Sequence, residues 1–132
     1  MIVLDASAAL ELLLRTAVGR DLAERVFDPA ESLHAPELID LEVGQVLRRY
    51  ERTGVLGAAR AEEALADFAA LPLERYSHRL VLARAWQLRA NLTLSDAAYV
   101  ALAELLDAPL VTCDAALARA PHAARVEVLG GG

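Results

Sequence analysis

Residues 92–118 have the sequence LTLSDAAYVALAELLDAPLVTCDAALA, which predicts a helix, a break, a short buried strand and a second helix. The first helix is expected over about 95–106, and Pro109 breaks the chain soon after because proline cannot continue a helix. Residues 110–112 form the strand, and Asp114 then opens the second helix. An acidic side chain therefore stands at the carboxyl end of a predicted buried strand.

The N-terminus repeats this arrangement, since residues 1–4 are an apolar run that ends at Asp5, with a helix expected over 7–14. Further helices are predicted at about 18–27, 36–53, 58–70 and 78–90, and further strands at 32–35, 73–75 and 126–129. Strands that alternate with helices predict a three-layer α/β/α sandwich with a central parallel sheet, in a single domain over residues 1–129. Residues 130–132 are expected to be a flexible glycine tail.

Composition limits the class of protein. With 132 residues, 56% of them hydrophobic, the chain suits one domain with a real core. The net charge of −6, with thirteen arginines and no lysine, excludes a protein that coats nucleic acid by bulk attraction, but not one that acts on RNA. No apolar stretch reaches membrane length, the N-terminus lacks a basic leader, and the single Cys113 allows no intramolecular disulfide. A cytoplasmic protein without membrane contact is expected.

Four acidic residues stand where apolar runs end or along an apolar helix face: Asp5, Glu42, Asp96 and Asp114. In open parallel sheets, side chains that follow the strands meet at the carboxyl edge. Carboxylates brought together there repel one another unless a cation lies among them. A hard divalent ion, Mg²⁺ or Mn²⁺, suits such a set of oxygens, which points to metal-assisted hydrolysis of a phosphodiester.

Structural capping is the alternative for three of these acids. Asp5 and Asp114 each precede a helix, where aspartate is a favoured N-cap. Asp96 belongs to a capping-box pattern that begins at Thr93, and it can serve the site as well if Thr93 or Ser95 does the capping.

Glu42 has a more informative position, because three of its four neighbours at helical spacing are apolar. It therefore lies on or beside the buried stripe, whereas solvated glutamates usually occupy the other face. Asp40 is the competing acid, and its less apolar neighbours predict a surface position.

Three segments resemble a known family: MIVLDASAALELLL at 1–14, PELIDLEVGQVLRR at 36–49, and residues 92–118. In this order they resemble PIN domains, specifically the VapC-type toxins of prokaryotic toxin–antitoxin pairs. The resemblance covers nearly the whole chain, and its last segment, with the acid, the alanine-rich helix, the proline-led strand and the T-x-D turn, is the most specific.

The resemblance implies an α/β/α fold and a metal-dependent ribonuclease that acts on single strands. By motif match, Asp5, Asp96 and Asp114 would be direct or water-mediated ligands of one or two Mg²⁺ or Mn²⁺ ions. Glu42 would bind the second ion or orient a water. Ser7 and Thr112 match the hydroxyl positions found beside this acidic quartet.

The resemblance also implies partners: an RNA substrate, with transfer or ribosomal RNA as the target, a second copy of the chain in a homodimer, and a cognate VapB-type antitoxin. In the family the antitoxin covers the active-site cleft and itself binds DNA, so DNA is expected to be contacted only indirectly.

Arginines and aromatic residues are candidates for RNA contacts. Arg15 follows the first helix, and Arg48 and Arg49 follow Glu42 by about two turns, so each is a candidate for gripping phosphates. A solvated helix surface paired with acids is the alternative for each. The four residues Tyr50, Tyr76, Trp86 and Tyr99 are candidates for base stacking, with core or interface packing as the alternative.

The remaining titratable side chains are expected to have no part in the chemistry. The three histidines, His34, His78 and His122, have no metal-ligand spacing and are predicted to be surface or turn residues. Cys113 is predicted to be a buried strand residue.

Two other functions compete with the ribonuclease. A PIN-fold scaffold that binds RNA or protein without cutting is the first, although degenerate members typically lose acids and all four are present here. A phosphotransferase of the haloacid-dehalogenase type also begins with a strand that ends in aspartate. That class needs a second aspartate where this chain has Ser7, and a lysine that this chain lacks.

Overall fold

The computed structural model describes residues 1–130, within which five strands form one sheet whose neighbouring pairs are all parallel. The strands are β1 (Ile2–Leu4), β2 (Leu33–Pro36), β3 (Leu73–Tyr76), β4 (Leu110–Thr112) and β5 (Val126–Val128). Their order is β3-β2-β1-β4-β5. The predicted parallel sheet is confirmed.

Helices cover the sheet on both sides, which confirms the predicted three-layer α/β/α architecture. Helix α6 packs on β1, β2 and β4 and is buried along most of its length, whereas α1 contacts α2, α3 and α4. In the part of the chain that the structure describes, no helix is both long and apolar enough to cross a membrane. The helices are α1 (Ala6–Leu13), α2 (Ala17–Val26), α3 (Ile39–Arg52), α4 (Ala58–Ala70), α5 (Leu82–Gln87), α6 (Leu94–Leu106) and α7 (Ala116–Arg119).

The strand order reverses direction beside β1. The chain proceeds from β1 to β2 and β3 on one side, and then places β4 and β5 on the other. A crevice forms at such a switch point because the connections leave the two central strands in opposite directions. Leu4 pairs with Val111 across this junction, and the Asp5 amide donates a hydrogen bond to the Val111 carbonyl at 3.0 Å.

Two predicted helix boundaries are wrong. Pro36 ends β2 and α3 begins only at Ile39, because the fixed φ of proline also suits the end of a strand. The helix predicted over 78–90 is a 3₁₀ turn at His78–Leu80 followed by the short α5. The break falls at buried Val81, whose φ of −118° departs from helical geometry. Gly54 ends α3 as predicted, with a φ of +78° that favours glycine.

The predicted glycine tail lies at the edge of the described chain. Gly130 is described in a bend after β5, and residues 131 and 132 lie outside the described residues.

Candidate active site

Asp5 lies at the carboxyl end of β1, and its carboxylate accepts two side-chain hydrogen bonds at the same oxygen. Ser7 Oγ donates to Asp5 Oδ2 at 2.8 Å, and Thr112 Oγ1 donates to it at 2.5 Å. Asp5 occupies the N-cap position of α1, yet its side chain makes no capping bond. The capping alternative is therefore wrong for Asp5, whose side chain is directed to the junction with β4.

The two hydroxyls have a defined direction of donation. Ser7 Oγ accepts the Cys113 amide at 2.9 Å, and Thr112 Oγ1 accepts the Asp114 amide at 3.0 Å. Since both oxygens accept from the backbone, their protons are available for Asp5. Ser7 and Thr112 thus tie the turn after β1 to the turn after β4, and both lie beside the acids as predicted.

Glu42 on α3 faces the same region from a different layer. Its Oε1 accepts a hydrogen bond from the buried Tyr99 hydroxyl on α6 at 2.7 Å. Asp40 points elsewhere, because its Oδ1 pairs with Arg75 at 2.7 Å on the exposed surface. The preference for Glu42 over Asp40 on this helix is thereby supported.

Asp96 and Asp114 reach the site from the first residues of α6 and from the turn after β4. Thr93 is the N-cap of α6 and accepts the Asp96 amide at 3.2 Å, so the Asp96 carboxylate is not the cap. Asp114 Oδ1 accepts the Ala116 amide at 2.9 Å, which is a local structural role, but the N-cap of α7 is Ala115, so the predicted N-capping by Asp114 is wrong. That role holds one oxygen of Asp114 and leaves the other without a donor from residues 1–130.

All four acids line one cleft of about 530 Å³ over the carboxyl ends of β1 and β4. Its remaining wall comes mainly from α1 and α3 and includes Glu11, which sequence analysis did not propose. Five acids and one arginine, Arg49, therefore surround this space, so a phosphate is repelled from the cleft unless cations offset its negative charge.

Burial and neighbouring negative charges raise the pKa values of two acids in the cleft. Burial raises the pKa of Glu42, and the negative charges of Asp5 and Asp96 raise it further, against the opposing effect of the Tyr99 hydrogen bond. Burial likewise raises the pKa of Asp96, with a further contribution from Asp5. A bound cation would relieve this repulsion, so the electrostatics suit a cation site.

The donor set fits a hard divalent ion that keeps part of its water. Each of the four carboxylates retains at least one oxygen to which no donor from residues 1–130 bonds. Within those residues no three acidic, histidine or cysteine side chains are gathered closely enough to hold an ion by themselves. Mg²⁺ binds through few protein ligands and retains several waters, which suits acids spread around a cleft.

The structure separates the three predicted RNA-binding arginines. Arg49 lines the acidic cleft. Arg48, one residue earlier, lines a different surface with Glu51 and Glu62. Arg15 lies beside Glu63 and Asp67, 3.8 Å from a carboxylate oxygen of each, and does not line the cleft. Of the three, only Arg49 lines the cleft that holds the acids.

Some expectations about other residues are wrong. His34 is buried in β2 rather than at the surface, and its ring bonds Tyr76 and Ser32. Cys113 follows β4, is half-buried and lines the cleft. Tyr99, considered for stacking or packing, is the hydrogen-bond partner of Glu42. The sequence signal for this role was the position of Tyr99 three residues after Asp96, which places both side chains on one face of the helix.

Residues 2–123 match the family model described as PIN domain. The chain belongs to the PIN domain family. Among its relatives, Ribonuclease VapC12 of Mycobacterium tuberculosis is 41% identical over 98% of this chain and 99% of its own length. VapC ribonuclease Mb0985 of Mycobacterium bovis is 46% identical over 86% of each chain. Within the PIN domain family, the chain therefore belongs with the VapC ribonucleases.

A solved structure agrees on the fold of this PIN domain. It is that of VapBC2 from Rickettsia felis bound to a DNA fragment from its promoter, with a TM-score of 0.74 and coverage of 98% of this chain and 99% of that one. At 14% identity this likeness supports the fold alone.

Proposed function

We propose that this PIN domain is a metal-dependent endoribonuclease toxin of a type II toxin–antitoxin pair. One observation carries the proposal: Asp5, Glu42, Asp96 and Asp114, from four separate segments, line one cleft at the switch point of the sheet. The relationship to VapC ribonucleases supports RNA as the substrate.

The chain's own residues hold the reacting groups in place. Asp5 is oriented by Ser7 and Thr112, while Asp114 is oriented by a backbone amide. These two and Asp96 are proposed to hold Mg²⁺ or Mn²⁺ directly or through water. When bound, such an ion acidifies water and offsets the charge that builds on the phosphate.

Glu42 is proposed to orient the attacking water and accept its proton. Burial and like charges raise the pKa of Glu42, which makes it a better base than an ordinary glutamate. Tyr99 fixes one oxygen of Glu42 from the opposite layer, so the other oxygen is available to the water.

The proposal includes protein partners, namely a VapB-type antitoxin and a second copy of the chain. Two apolar grooves outside the cleft support this. One, of about 460 Å³, lies beside the exposed Phe27, and the other, of about 200 Å³, beside the exposed Leu82. Phe27→Ser and Leu82→Ser would each test one groove through the mass of the complex in solution, with and without antitoxin. We propose that the protein acts in the cytoplasm, where transfer and ribosomal RNA are found, and that DNA is contacted only through the antitoxin.

The direct test is cleavage of mixed transfer and ribosomal RNA by the purified, antitoxin-free protein. Reactions with Mg²⁺, with Mn²⁺ and with EDTA are compared with the Asp96→Asn variant. Discrete cuts that need metal and disappear in Asp96→Asn support the proposal. A folded sample that cuts nothing in either metal overturns it and favours a binding scaffold.

A further inference from the structure

The lining of the acidic cleft is chemically mixed. Besides its acids it includes apolar side chains from α1 and α3 and from the turns that follow them, namely Leu10, Leu14, Val46 and Val55. An apolar lining in a phosphodiester-cutting site has no role toward the phosphate itself. It suits the flat, weakly polar face of a nucleobase.

Tyr50 is the only aromatic side chain that lines this cleft within residues 1–130. It lies on α3 eight residues after Glu42, a separation of about 12 Å along the helix and about 80° around it. Tyr76 and Tyr99 bond other partners, and Trp86 lies outside the cleft. The structure thus selects one of the four candidate stacking residues.

Arg49, the residue before Tyr50 on α3, adds a cation to the lining of the cleft. Its guanidinium carbon lies 5.6 Å from the centroid of the Tyr50 ring. Among residues 1–130 it pairs with no carboxylate, unlike Arg15, Arg75 and Arg84. An unpaired guanidinium beside an aromatic ring can contact a phosphate or stack on a base.

We propose that Tyr50 and Arg49, with the apolar wall of Leu14 and Val55, form a binding site for one unpaired RNA base next to the scissile phosphate. The inference rests on the proposed ribonuclease function, which it deepens by naming what holds the substrate beside the acids. A base within a duplex has both faces covered by its neighbours, so the site takes single strands.

The test measures binding separately from cutting. Fluorescein-labelled single-stranded hexanucleotides of uridine, adenosine or cytidine are titrated with protein carrying Asp96→Asn, in Mg²⁺, by fluorescence anisotropy. Tyr50→Ala in this background is expected to raise Kd by roughly 5- to 100-fold, the usual range for losing one aromatic stacking contact. Tyr50→Phe keeps the ring and should bind like its parent.

Two matched controls separate the site from general effects. Trp86 is an exposed aromatic residue whose ring centroid lies 4.3 Å from the guanidinium carbon of Arg89, so it resembles the Tyr50–Arg49 pair. Because Trp86 lies outside the cleft, Trp86→Ala should leave Kd unchanged. Arg49→Gln should weaken binding and reduce the slope of log Kd against log salt by about one. Arg48→Gln, with the same loss of charge one residue away, should do neither. Melting temperatures verify that each variant is folded, and exposed Arg49 provides a test if Tyr50→Ala does not fold.

Each outcome decides something. Unchanged Kd in both folded Tyr50→Ala and Arg49→Gln overturns the base site, even if wild-type protein cuts RNA. Failure of the parent to bind any of the oligonucleotides also overturns it. Binding that depends on Tyr50, in a protein whose wild type cuts no RNA, overturns the ribonuclease and leaves the base site standing.

Discussion

Two polar clusters occupy adjacent strands of the sheet, one around His34 on β2 and one around Asp5 at the end of β1. In the first, His34 Nδ1 lies 2.7 Å from the Tyr76 hydroxyl and Nε2 lies 2.8 Å from Ser32 Oγ. Burial lowers the pKa of His34, so the ring is neutral at physiological pH and both nitrogens are satisfied. The charge beside this cluster, the Glu74 carboxylate 3.6 Å from His34 Nδ1, is exposed to solvent and needs no ligand.

The Asp5 cluster is satisfied only on one side. Two hydroxyls hold one Asp5 oxygen, while burial and the negative charge of Asp5 both raise the pKa values of Glu42 and Asp96. Buried polar groups that are fully bonded stabilise a fold, whereas charges held together without a counter-charge indicate a binding or catalytic site. The two clusters therefore differ mainly in whether their charges are offset by a counter-charge, and less in burial or polarity.

The largest expected effect separates two acids on α3. Glu42→Gln should lower the rate of RNA cleavage on the order of 100-fold or more, because a preorganised group beside the reacting phosphate is lost. Asp40→Asn, two residues away and paired with Arg75 at the surface, should leave the rate close to that of wild type. Single-turnover cleavage measures both, and equal losses would place the chemistry outside the cleft.

The His34 cluster should respond in stability alone. Tyr76→Phe removes the partner of a buried ring nitrogen and should cost about 1–3 kcal/mol of unfolding free energy, without changing cleavage per folded molecule. Urea unfolding measures the cost. Tyr50→Phe is the control, because the Tyr50 hydroxyl makes no hydrogen bond within residues 1–130. If Tyr76→Phe lost activity without losing stability, the His34 cluster would have a functional role like that of the Asp5 cluster.

The charge imbalance predicts how stability depends on pH. Folding raises the pKa values of Glu42 and Asp96 above their ordinary 4.5 and 3.8, so their stabilising contribution is present at low pH. It is lost as pH rises through the folded-state values, from about pH 4 upward. Metal-free protein should therefore lose stability relative to a variant without these two carboxylates as pH rises toward neutrality, and Mg²⁺ should restore part of that loss.

Melting in EDTA between acid and neutral pH tests this against the Glu42→Gln, Asp96→Asn double variant. The difference in melting temperature, double variant minus wild type, should grow as pH rises, because the two carboxylates whose pKa values folding raises have been removed. Parallel curves for the two proteins would show that the acids do not repel one another as described.

The smallest effects compare two serines. Ser7→Ala and Ser32→Ala each remove one hydroxyl from a cluster and should cost about 0.5–1.5 kcal/mol of unfolding free energy. Ser7→Ala should in addition raise the Mg²⁺ concentration needed for half-maximal cleavage, because Asp5 loses one of its two orienting donors. An unchanged requirement for Mg²⁺ would mean that Thr112 alone holds Asp5.

The acidic cleft was more predictable than the His34 cluster. Acids that follow apolar strands or lie on a buried helix face can be recognised from the local sequence. The edge of the sheet brings them together regardless of the conformation of the loops. His34 has no such signal, because its burial depends on Tyr76, which pairs with β2 from a strand forty residues later. The break of the 78–90 helix at buried Val81 likewise has no counterpart in the local pattern.

The sequence by itself determined the parallel α/β class, most element boundaries and the acids Asp5, Glu42, Asp96 and Asp114, because hydrophobic period and strand-end position are local properties. Tertiary structure alone decided the strand order, the bond between Tyr99 and Glu42, and which arginine faces the acids. Arg48 and Arg49 are adjacent in sequence and alike in chemistry, yet only Arg49 enters the cleft. The reason is that α3 turns about 100° per residue, so the packing of the helix against α1 determines which side chain faces the site.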